Sequence, residues 1–119
     1  MTQTAALPFS KVRTVGPLVF LSGDMGIAAD GSVPAGIEAQ TRLCLERIAA
    51  TLAGEGLGLA DVVSVTVHLV DAADFAAFNR VYAAAFAEPR PVRTTVRADL
   101  MLPGALVELT VVAQKKKPD

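Results

Sequence analysis

The sequence predicts an α+β fold in which two helices pack on one face of a mostly antiparallel sheet. Three observations predict it. Two stretches carry apolar residues at three- and four-residue steps, short β-branched runs alternate apolar and polar side chains, and Gly and Pro punctuate the joins. The order reads ββαβαββ. A length of 119 residues fits one domain spanning 1–119.

Lys11 to Val15 is the first short strand, and Gly16-Pro17 marks a tight turn. Leu18 to Gly23 is a buried strand ending in a corner of small residues. Asp24 to Pro34 is a loop with a turn at Asp30-Gly31. From Ala35 to about Glu55 the spacing of Ile37, Thr41, Cys44, Leu45, Ile48 and Leu52 predicts a helix, closed by Gly54, Gly56 and Gly58. Cys44 lies on the apolar stripe and is expected to be packed and inert.

Val62 to Val70 alternates cleanly, with Val63, Val65, Val67 and Leu69 on one face and Ser64, Thr66 and His68 on the other. The expectation for His68 is a hydrogen-bonded structural histidine. Asp71 or Asp74 caps a second helix reaching Ala87, with a stripe of Phe75, Phe78, Val81, Tyr82 and Phe86. Pro89 and Pro91 stop it. Two strands follow, Pro91 to Ala98 and Ala105 to Ala113, read as a pair joined through an Asp99–Gly104 turn.

Composition narrows the function classes. An Ala- and Val-rich chain without Trp has few large side chains to fill a core. A domain this size also buries only about two-thirds of its unfolded surface. Part of the apolar surface is therefore expected to be covered by other copies of the chain. The net charge is −1, and the one basic cluster is Lys115-Lys116-Lys117, in a tail, 114–119, expected to be flexible. No basic face interleaves with the five Phe and one Tyr, which argues against nucleic acid. No run approaches the roughly 20 apolar residues of a membrane span, and the N-terminus lacks the features of a signal peptide. One Cys and one His cannot build a His/Cys metal cluster, and a lone thiol suits a reducing, cytoplasmic compartment.

The chemistry centres on Arg93 and Glu108. Glu108 interrupts the most apolar strand of the chain. If the last two strands form a hairpin, Thr95 falls opposite Glu108 with Arg93 diagonal to it. The residues alone leave two readings open. One is a structural ion pair, which contributes little net stability once desolvation is counted. The other is a small-anion site, with Arg93 as a forked donor to a carboxylate and Glu108 orienting a water.

Three stretches carry a family resemblance. LPFSKVRTVGPLVFLSGDMG is similar to a P-Y-S-x-A segment followed by a strand ending V-S-G-Q. FNRVYAAAFAEPRPVRTTV is similar to V-N-x-x-Y-x-x-F-F followed by P-A-R-S/T-x-V, and LPGALVELTVVA to L-P-x-x-A-x-V-E-I-E-A-I-A. In order, from Leu7 to Ala113, the chain resembles the Rid family of reactive intermediate deaminases, also called YjgF. The resemblance implies a fold like the homotrimeric type of bacterial chorismate mutase, and a homotrimer with a cleft between each pair of subunits. It implies hydrolysis of 2-imino acids to 2-keto acids and ammonia, with no metal or organic cofactor.

Position by position, the resemblance makes Arg93 the ligand of the substrate carboxylate and Glu108 the residue that positions water. Gly23 lays its backbone against the ligand. Thr95 stands where many members have cysteine and keeps a backbone contact to the imine nitrogen. Phe9 replaces a tyrosine and walls the cleft. Asp24 replaces a glutamine and adds negative charge beside the site. The partner expected is a small carboxylate substrate. The alternative is a non-catalytic metabolite-binding or regulatory trimer of the same fold. Chorismate mutase and endoribonuclease activities rank lower, for want of further cations on the strand of Arg93 and of a basic-aromatic surface.

Overall fold

The computed structural model describes residues 6–116. The expectations for the extreme N-terminus and for the end of the lysine run, 117–119, lie outside the described residues.

Six strands and two α-helices follow one another along the described residues. They are β1 (Val12–Val15), β2 (Leu18–Leu21), β3 (Asp24–Met25), α1 (Ile37–Ala53), β4 (Val62–Leu69), α2 (Phe75–Ala85), β5 (Val92–Arg97) and β6 (Val107–Gln114). They form an α+β fold of two helices and one mixed sheet. The strand order is β1-β2-β6-β4-β5, with the two-residue β3 also paired to β6. All pairings are antiparallel except β4 with β5.

That exception corrects the expected hairpin. β5 and β6 are not neighbours, because β4 lies between them. The stretch from β4 through α2 to β5 is a crossover long enough for parallel pairing. The link from β5 to β6 is pinned at both ends to the tip of β4. Ala98 N–H donates to Leu69 O at 2.9 Å, and Val70 N–H to Leu106 O at 3.1 Å. β4 suits the central place: its β-branched residues fit a pleated surface with a partner on each edge.

Alternation sorts the strands into two faces. Val19, Val65, Val67, Val107, Leu109 and Val111 are essentially fully buried and pack with Cys44, Ile48 and Leu52 of α1 and Phe78 of α2. Each such apolar side chain contributes about 1.5–3 kcal/mol on burial. The α1 stripe is buried as its spacing predicts. Two strand and helix positions differ from expectation. A register irregularity between Val62 and Ser64 turns Val62 inward and leaves Val63 exposed. Phe75, at the start of α2, is also exposed.

The other sheet face carries no helix. Phe20, Val92 and Val96 stand exposed on it, among the hydroxyls of Thr66, Thr94 and Thr110. The molecule is a slab of 44 × 43 × 20 Å. The start of the tail expected to be flexible is held to the sheet: Gln114 pairs with Leu18, and Lys115 N–H donates to Pro17 O at 2.7 Å.

Candidate functional site

Alternation explains the carboxylate inside an apolar strand. Val107 and Leu109 point into the core, so Glu108 points to the open face. There it sits beside Thr110 and opposite His68, its register partner on β4. Its side chain is 28% exposed, enough to meet a small ligand while shielded from bulk water on most sides. Gly23 closes the third side. A Cβ at that position would lie 2.8 Å from Glu108 Oε2 and 3.1 Å from Thr110 Oγ1, so only glycine lets the carboxylate lie against this backbone. Gly23 and Glu108 are thus brought together.

Arg93 is elsewhere. Its register partner is Val65, which faces the helices, so Arg93 faces them too. Its guanidinium lies 4.7 Å from the ring centre of Tyr82, 5.5 Å from Phe78 and 5.7 Å from Phe75. Distances of this kind hold a cation by the negative face of each ring. Among the described residues Arg93 has no ion-pair partner. The N–H fork of the guanidinium, without an ion-pair partner among the described residues, suits a planar anion. Within one chain Arg93 and Glu108 therefore lie on opposite faces of the sheet. The single polar patch expected from the hairpin does not form in one protomer.

Thr95 shares the Arg93 face. It lines a cleft of about 250 Å³ with Leu69, Ala72, Phe75, Val96 and Arg97 at the β5 edge of the sheet. Tyr82 adds a buried hydroxyl with no partner among the described residues. Burial pushes its phenol pKa up, with Arg93 and Arg90 pulling partly back, so the hydroxyl stays a neutral donor. A larger groove of about 570 Å³ runs between α1 and α2, but its lining includes neither Arg93 nor Glu108.

Asp24 is a correction. Paired with Leu109 in register, it turns toward α1. Its Oδ1 accepts from Arg47 Nε at 2.9 Å and from Met25 N–H at 2.9 Å. Arg47 also donates to Ile27 O at 3.0 Å. This carboxylate is a neutralised strut between β3 and α1, turned away from the Glu108 corner. Phe9 is 58% exposed on a segment tied to that corner, where Ser22 Oγ donates to Ser10 O at 2.7 Å. Cys44 is buried, donates to Asp24 O, and has its thiol pushed up to about 12, chiefly by desolvation, which makes it inert as expected.

Two features escaped the sequence reading. His68 was expected to be satisfied, yet its Nδ1 is buried without a hydrogen-bond partner among the described residues, 3.9 Å from Glu108 Oε1. The aromatic cradle of Arg93 was read only as a helix stripe. A signal for both existed in the crossover helix after β4, which permits β5 to pair with β4 and puts β6 on its other edge. No three His, Cys, Asp or Glu side chains come together to hold a metal ion among the described residues.

Comparison with known proteins agrees with the fold. A protein-family model described as Endoribonuclease L-PSP matches residues 2–115. A RutC family protein of Pyrococcus horikoshii is 38% identical over 111 residues, 92% of this chain and 88% of that one. "Putative reactive intermediate deaminase TdcF" of Escherichia coli is 31% identical over 110 residues, 89% of this chain and 85% of that one. The crystal structure of E. coli TdcF with bound serine matches with a TM-score of 0.84 at 28% identity, covering 94% of this chain and 91% of that one.

Proposed function

Since the chain belongs to the YjgF/RutC (Rid) family, we propose that it hydrolyses reactive 2-imino acids to 2-keto acids and ammonia, without metal or cofactor. The observation that carries this reading is Arg93, a cation held by three aromatic rings with its fork unpaired among the described residues. A 2-imino acid offers the matching planar carboxylate, with the reactive C=N one bond away. That solved TdcF binds serine, a small carboxylate with nitrogen on the same carbon, supports the substrate class.

Glu108 holds a water for the imine carbon. The water oxygen bonds to that carbon as the π pair moves to the protonated nitrogen. A proton passes from oxygen to nitrogen, the C–N pair leaves with ammonia as an oxygen lone pair forms the C=O bond, and the remaining hydroxyl proton passes to the Glu108 carboxylate, leaving the 2-keto acid. Positioning of this kind is worth several kcal/mol, and no nucleophilic side chain is needed, so threonine at position 95 is no obstacle.

The opposite-face placement of Arg93 and Glu108 supports a site completed by two copies of the chain. β5 is an edge strand, so its outer side is open to a neighbouring copy, which would bring its Glu108, Gly23 and Phe9 to Arg93. A homotrimer with three such clefts is the assembly proposed. The single buried thiol, Cys44, suits a reducing, cytoplasmic compartment.

The test is hydrolysis of 2-iminopropanoate generated in situ, followed as keto acid and ammonia. The wild type accelerates it, and Arg93→Ala loses about 100-fold or more while keeping its fold and mass, as expected for removing a charge-assisted fork. An Arg93→Ala enzyme with most of its activity overturns the assignment. A wild type that binds 2-keto acids without turnover turns the reading into the non-catalytic alternative.

A further inference from the structure

We propose that His68 is a positioning residue for Glu108. Its Nδ1 pins one carboxylate oxygen and leaves the other for the water. The proposal rests on the deaminase reading for its kinetic consequence, and on geometry alone for the pairing.

The register of β4 and β6 puts His68 and Glu108 side by side on the open face. Nδ1 lies 3.9 Å from Oε1, just beyond hydrogen-bond reach, and it is buried with nothing else to bond among the described residues. A buried ring nitrogen without a partner is costly, and a small rotation about the side-chain torsions removes that cost. Gly23 blocks the carboxylate on the Oε2 side, so rotation toward His68 is the movement left open.

No competing charge faces the pair from the packed strands. On that face β4 adds Ser64 and Thr66, β6 adds Thr110 and Val112, β5 adds Val96, and β3 adds Met25. Asp24 is turned to the helix side and held by Arg47. Arg97 also turns there, its Nε donating to Val70 O. Arg13, on β1, faces the open side with the pair but two strands beyond β6, and Lys11 lies on the exposed segment joined to Ser22.

His68 with its proton on Nδ1 donates to Oε1, fixes the rotamer of Glu108, and leaves Oε2 to hold the water.

His68 is the only histidine of the chain, so its ring can be read directly. In ¹⁵N spectra at a pH where the ring is neutral, the wild type is expected to carry the proton on Nδ1. In Glu108→Ala it is expected to revert to the Nε2–H form usual for an unpartnered ring. The same tautomer in both proteins overturns the pairing, whatever the activity. Kinetically, His68→Phe should lower kcat about tenfold with KM nearly unchanged. His68→Asn places an amide donor near the position of Nδ1. It should restore most of kcat. A folded His68→Phe with wild-type kcat, or a folded His68→Asn that restores none of the lost kcat, overturns the positioning role. A wild type without imine hydrolysis removes the deaminase reading and leaves the tautomer to decide the pairing.

Discussion

Gly23 and Gly26 stand three residues apart, and each is required by a close approach, but the consequences of adding a methyl group differ. At Gly23 the new Cβ meets the far end of a flexible side chain, Glu108 Oε2 at 2.8 Å. The carboxylate can swing aside, and the backbone need not move. Gly23→Ala is therefore expected to fold with a stability within about 1 kcal/mol of the parent. Its kcat should fall about 10- to 100-fold, because a displacement of about 1 Å in a water-holding group is costly. Thermal melting together with imine kinetics checks both halves. Loss of stability without loss of kcat would mean that this carboxylate does not hold the water. At Gly26 the Cβ would meet the backbone of α1, with Gln40 Cα at 2.8 Å, and a helix backbone has no rotamer to yield. The first glycine shapes the site and the second seats a helix.

Among the elements, α1 does more than cover the sheet. Gln40 is 2% exposed, and its amide is used at every point. Nε2 donates to Pro34 O at 2.9 Å and Gly104 O at 3.0 Å, while Oε1 accepts from Leu106 N–H at 2.8 Å. One side chain thus ties α1 to the link that carries the chain past β4 into β6. Gln40→Leu keeps the volume and strands three backbone groups. It is expected to cost about 2–4 kcal/mol, seen as a lower urea midpoint with an unchanged m-value. A midpoint within error of the parent would mean that water replaces the clamp. The α1 stripe from Ile37 to Leu52 was legible because helical spacing records which residues share a face. The burial of Gln40 was not, since a polar residue is buried only by partners distant in sequence. The same limit explains β5 and β6. Alternation places Arg93 with Thr95 and Glu108 with Thr110 whichever strand lies alongside, so which of these residues share a face was legible. Pairing is not written in alternation. The short Asp99–Gly104 segment looked like a hairpin turn, and only the appetite of β4 for two neighbours decides otherwise. That error put Thr95 opposite Glu108 with Arg93 diagonal to it, and hid His68, which holds the place the threonine was given.

At the scale of the whole molecule, a thin slab has one sheet face without a helix, with Phe20, Val92 and Val96 exposed on it, and carries Arg93 and Glu108 on opposite sides. The proposed trimer would bring the two together across subunits. If the proposed cleft joins Arg93 of one subunit to Glu108 of the next, two inactive proteins can repair each other. Arg93→Ala subunits still supply Glu108, and Glu108→Gln subunits still supply Arg93. In a closed ring with heterologous contacts, an equal mixture after subunit exchange gives about one cleft in four with both native groups. About a quarter of wild-type turnover should therefore return on co-refolding, and none should return when either variant is refolded alone. The recovered activity should sediment at about three times the 12.3 kDa chain mass. If both groups acted within one chain, mixing would restore nothing, because every subunit would carry a defect of its own. The experiment thus separates a shared cleft from a private one without any appeal to resemblance.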